Sequence, residues 1–119
     1  MVDRWKRLGR VISVVVPWRP DGGQRDRIWS WCSARWVGLG FPDPIECDSG
    51  HESFNRAASI NQGVEKAAGD LLVIADADTA VNVIIPAVTA ATATGAWTIC
   101  HQDAAYCSLD HTQTERMLI

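Results

Sequence analysis

An unbroken apolar run that ends in two carboxylates, Leu71-Leu72-Val73-Ile74-Ala75-Asp76-Ala77-Asp78, limits this chain more than any other stretch. Five apolar residues in a row are the pattern of a strand covered on both faces, as in parallel sheets between layers of helices. Asp76 and Asp78 follow at its C-terminal end, where open α/β sheets bind ligands. Side chains two apart on an extended backbone point to one side, so both acids can face a single cation or sugar. Such a pair suits a hard divalent metal that carries phosphate oxygens. The plainer alternative is an acidic turn closing the strand, because aspartate is a common turn residue.

The remaining chain offers partners for that strand. Val11 to Val16 is a β-branched run stopped by Pro17, hence a buried first strand. After the turn Asp21-Gly22-Gly23, a helix is predicted from about Gln24 to Val37, with Ile28, Cys32 and Trp36 on one face. Gly38, Gly40, Pro42 and Pro44 interrupt the chain, and Ile45 to Cys47 reads as a short second strand. Ser53 is placed to cap a helix starting near Phe54, with Ala57, Ile60, Val64 and Ala67 or Ala68 inward and Gly69 at its stop. Asn82 is placed to cap a helix through about Thr94, stopped by Gly95. Ala96 to Cys100 then reads as a fourth strand, with Trp97 in the core. Asp110 with Gln113 resembles the capping box of a last helix.

Strands and helices in alternation predict one α/β domain over residues 1–119, a mostly parallel sheet with helices on both faces. Three loops then gather along one edge: Pro17-Trp18-Arg19, Asp48-Ser49-Gly50 and Asp76-Ala77-Asp78. Asp70 lies six residues before Asp76 on a strand rising ~3.3 Å per residue, on the order of 20 Å away, and belongs to the opposite edge.

Composition narrows the function. A net charge of −3 gives no basic field to recruit a nucleic-acid polymer. No segment reaches the ~20 apolar residues needed to span a bilayer. The basic start, Arg4, Lys6, Arg7 and Arg10, precedes too short an apolar run for a signal peptide, so a cytoplasmic location is expected. Cys32, Cys47, Cys100 and Cys107 form no CxxC pair, and Cys100, His101, Cys107 and His111 match no common zinc spacing.

Phe54-Asn55-Arg56-Ala57-Ala58-Ser59-Ile60-Asn61-Gln62-Gly63, then Ala67-Ala68-Gly69-Asp70, then Ile74-Ala75-Asp76-Ala77-Asp78 together resemble family-2-like glycosyltransferases. These have the GT-A fold, and the likeness is to short bacterial and bacteriophage members. It extends over roughly residues 11–110 and includes the strand Val11 to Pro17. The resemblance implies that Asp78 binds Mn2+ or Mg2+ bridging the phosphates of a nucleotide-sugar donor, and that Asp76 contacts ribose or shares the metal. Arg56 would add positive charge near the diphosphate. Asp48 would accept a hydrogen bond from the base, with uracil and hence a UDP-sugar favoured. Pro17, Trp18 and Arg19 would line the base pocket, although packing explains Trp18 equally well. Asn61 and Gly63 read as structural, and His51 and Glu52 as a solvated loop.

The family extends well past its DxD strand into an acceptor-binding half that supplies a catalytic base. Here only Asp103, Asp110 and Glu115 follow, none in a recognisable base motif. The expectation is therefore a donor-binding half, truncated after the DxD, whose missing half is covered by a partner chain or by self-association. The acceptor is unassigned. A non-catalytic nucleotide-binding module, or an inactive remnant, is the alternative. A haloacid-dehalogenase-like site is disfavoured, since Ala80 stands where that motif has Thr or Val, and no phosphate-binding GxxxxGK[ST] loop occurs.

Overall fold

Ile12–Pro17 (β1) is the strand around which the sheet is built, and all six of its residues are buried. Its consecutive valines are stiff at χ1 and favour the extended backbone. The computed structural model describes residues 9–99 and 108–119. Expectations for Arg4, Lys6, Arg7, Cys100, His101, Asp103 and Cys107 fall outside these residues.

Ile45–Cys47 (β2) and Leu71–Ile74 (β3) pair with β1 on either side, both parallel, in the order β2-β1-β3. Val15 aligns with Ile45 on one side and Ile74 on the other. The order makes β1 the strand covered on both faces, a role that the apolar run predicted for β3. β3 has β1 as its neighbour in the sheet and is half-exposed, with Ile74 at 48%.

Two helices cover the two faces of the sheet. Gln24–Gly38 (α1) buries Trp29, Cys32 and Trp36, so Trp29 takes the inward place expected of Ile28. Trp29 Nε1 donates to Glu46 on β2. Arg56–Lys66 (α2) lies against Cys47, the next residue of β2, whose side chain points the other way. α1 and α2 therefore sit on opposite faces, as right-handed crossovers running in opposite directions require.

The inner face of α2 differs from the expected one. Ser59 and Gly63 are buried, while Ala57 and Val64 are exposed. A Cβ on Gly63 would lie 2.6 Å from Val15 Cγ1 and 2.8 Å from Cys47 Sγ. The smallest residues thus fix the helix register by admitting close approach to the sheet, which overrides the apolar stripe. Asn55, not Ser53, caps the helix, its side chain accepting from the Ala58 amide at 2.9 Å. The helix ends at Lys66, so Gly69 does not stop it. Gly69 instead donates its N–H to Ser13 Oγ at 2.9 Å, where the chain passes close to β1.

Backbone contacts divide the chain into two compact units, Met1–Thr79 and Ala80–Ile119. The second holds Ile84–Thr94 (α3) and His111–Met117 (α4). Val83 precedes α3 in place of the expected Asn82 cap, and Pro86 fits the first turn, whose amides have no intrahelical partner. Gly95 ends α3 at φ 68°. Residues 96–99 form no strand, and Trp97 is 102% exposed rather than in a core. An apolar run acquires strand structure only by pairing, and the sheet among the described residues has three strands, none of them from this stretch. The capping box at Asp110 and Gln113 is formed. Among the described residues no helix is long and apolar enough to cross a membrane.

Candidate functional site

Parallel pairing brings the C-terminal ends of β1, β2 and β3 to one edge of the sheet, and with them the three predicted loops. The edge carries three arginine–aspartate pairs, each joining segments remote in sequence.

The first pair organises the loop after β2. Arg19 Nε donates to Asp48 Oδ2 at 2.7 Å and Nη2 to Oδ1 at 2.8 Å. The same guanidinium donates to the carbonyls of His51 at 2.6 Å and Glu52 at 3.1 Å. The Phe54 ring lies under it, 5.6 Å from the ring centroid to Cζ. Asp48 Oδ1 also accepts from the Gly50 amide at 3.0 Å, an Asx turn that Gly50 closes at φ 81°. The Arg19 hydrogen bonds, then the Gly50 amide, hold the Asp48 carboxyl down at about 2 from an ordinary 3.8. The reciprocal bond raises the Arg19 pKa. With both oxygens engaged, Asp48 keeps spare acceptor capacity, chiefly at Oδ2, which accepts one hydrogen bond against two at Oδ1.

The second pair joins the start of α2 to the turn after β3. Arg56 Nη2 donates to Asp76 Oδ1 at 2.8 Å. The chain leaves the strand at Ile74, so Asp76 and Asp78 stand in a turn with Ala77 buried between them. Asp78 forms the third pair, 3.9 Å from Arg25 Nε in the first turn of α1. The Asp76 and Asp78 side chains remain 51% and 48% exposed.

Pro17 and Trp18 are brought to this edge but are buried. Trp18, 7% exposed, donates its backbone N–H to Cys47 and sets its ring 6.1 Å from that of Trp29. Its place in the structure is that of a packing residue. Asp70 sits at the opposite edge, accepting from the Val11 amide at 2.9 Å and pairing with Arg10.

Two residues of the site were missed in the sequence. Arg25 follows the Gly22-Gly23 turn that reverses the chain at this edge, and that position was its available signal. Ser59 is fully buried and accepts from the Ser49 amide at 3.0 Å, tying α2 to the Asp48 loop. Its spacing of four from both Asn55 and Gly63 marks the inner face in retrospect.

Among the described residues no group of three or more His, Cys, Asp or Glu side chains is placed to hold a metal ion. Asp76 and Asp78 offer two hard oxygen donors, the chemistry of a Mg2+ or Mn2+ that keeps water and takes its other ligands from phosphate. In comparisons with protein-family models, curated proteins and solved structures, nothing matched this chain.

Proposed function

We propose that this chain is the donor-binding part of a metal-assisted, GT-A-like glycosyltransferase, holding a nucleotide sugar, with a UDP-sugar favoured, at the carboxyl edge of its sheet. One observation carries the reading. Arginines from three segments and aspartates from two strand-end loops converge on a single exposed edge. Guanidinium groups match phosphate oxygens bidentately, and the amino ends of α1 and α2 add favourable dipoles there.

In this reading Arg25 and Arg56 bind the diphosphate, and Asp76 and Asp78 hold Mg2+ or Mn2+. When bound, the cation supplies charge neutralisation to the departing nucleoside diphosphate. Asp48 receives the base, on a loop that Arg19 fixes in place. Trp18 and Pro17 support this loop from beneath rather than stacking on the donor.

Binding without sugar transfer is the second reading. Asp110, one of few carboxylates following the DxD, is committed to the cap of α4.

Calorimetric titration of UDP into the chain, with Mn2+ and then with EDTA, tests the proposal. Binding that Mn2+ strengthens in the natural chain, with the gain from Mn2+ lost in Asp78→Ala, is the expected result. Equal affinity for UDP, GDP and dTDP would remove the assigned role of Asp48, and no binding by the folded chain would overturn the reading.

A further inference from the structure

The three ion pairs at the carboxyl edge are built differently. Arg19 is locked, because it is held by Asp48 and by two backbone carbonyls at once. Arg25 and Arg56 each reach out from the first turn of a helix to a half-exposed carboxylate of one short turn. At 3.9 Å, the Arg25 contact with Asp78 is a loose pair. Exposed pairs of this kind contribute about 0.2–1 kcal/mol, so exchanging them for better partners meets little resistance.

We propose that Arg25–Asp78 and Arg56–Asp76 exchange partners when ligand binds, the arginines turning to a diphosphate and the aspartates to a divalent cation. This rests on the diphosphate–metal reading above and adds a new element, the coupling of the two binding events through a shared exchange of ion-pair partners. Each carboxylate restrains the arginine that the anion needs, and each arginine occupies the carboxylate that the cation needs. Cation and diphosphate therefore assist each other. By linkage, the factor by which one raises the affinity of the other is the same in both directions.

The exchange makes substitutions act in opposite senses on the two ligands. Arg25→Gln frees Asp78, so Mn2+ alone should bind about two- to fivefold more tightly, the factor that corresponds to releasing an exposed pair. The same variant should bind inorganic pyrophosphate more weakly. Asp78→Asn frees Arg25, so pyrophosphate in EDTA should bind about two- to fivefold more tightly, while the gain from added Mn2+ disappears. Asp70→Asn makes the same charge change at the opposite edge and should leave both affinities unaltered.

Paramagnetic titration of Mn2+ and calorimetry with pyrophosphate, at low ionic strength and on chains of matched circular dichroism, read these affinities. Opposite shifts in the two variants, absent from Asp70→Asn, are the expected result. An unchanged or weaker Mn2+ affinity in Arg25→Gln overturns the exchange. So does an unchanged or weaker pyrophosphate affinity in Asp78→Asn, an equal shift in Asp70→Asn, or no binding of either probe by any variant. Opposite shifts with UDP binding no better than pyrophosphate would uphold the exchange and remove the nucleotide reading. Metal-dependent UDP binding without those shifts would do the reverse.

Discussion

Arg19 grips Asp48 through both carboxylate oxygens, at 2.7 and 2.8 Å, across 29 residues of sequence. Through this contact the loop after β1 sets the shape of the loop after β2, since the same guanidinium holds the His51 and Glu52 carbonyls. The order of loop segment 48–54 therefore depends on one charge state, that of Asp48.

The Asp48 carboxyl is lowered to about 2 from 3.8, chiefly by Arg19. A folded pKa below the unfolded one means stabilisation that is complete above about pH 4 and lost as pH falls through about 2. The Gly50 amide donates to Asp48 Oδ1 and reports the event directly. Its nitrogen and proton shifts should titrate with a midpoint near 2. In Arg19→Gln the midpoint should move up toward the ordinary carboxylate value, and an unmoved midpoint would contradict the pairing.

Close approach of backbone to sheet at two glycines predicts a ranking of stability. Gly63→Ala would press on the Val15 and Cys47 side chains, which can yield in part, and should cost about 1–3 kcal/mol. Gly69→Ala would press at 2.7 Å on Ser13 N and Val11 O, backbone atoms of the first strand and its approach. Urea unfolding should place Gly69→Ala below Gly63→Ala.

Trp18 packs with Trp29 under the carboxyl edge of the sheet. Trp18→Phe should lower stability and leave UDP affinity within about twofold, whereas loss of a stacking platform would cost ~1–3 kcal/mol of binding. Calorimetry on the folded variant separates the two.

Asp110 caps α4 by accepting from the Gln113 amide at 2.8 Å, while Gln113 Oε1 accepts from the Asp110 amide. Asp110→Ala should destabilise this seven-residue helix by about 1 kcal/mol. Faster hydrogen exchange should appear at residues 111–117 and not in the sheet.

Three strands, the alternation of helices and the gathering of the Arg19, Asp48 and Asp76 loops were legible in the sequence because β-branched runs and glycine turns are local signals. The inner face of α2 was not. There Ser59 and Gly63 win through the shape of Val15 and Cys47 beneath them, a tertiary fact without periodicity. The exposed Leu72 and Ile74 of β3 likewise depend on strand order, which an apolar run does not encode. Arg25 escaped notice because a charged residue in the first turn of a helix resembles any solvated one until the partner across the edge is seen.

Cys47 lies beneath Gly63 of α2, and Cys32 on the buried side of α1. Burial pushes both thiols up, so neither reacts readily while covered. The two sulfurs thus act as clocks on opposite sides of one sheet. Alkylation at Cys47 counts the moments when α2 lifts away, and alkylation at Cys32 counts those of α1. Two different rates would describe a protein that breathes one helix at a time, and a single shared rate one that opens all at once.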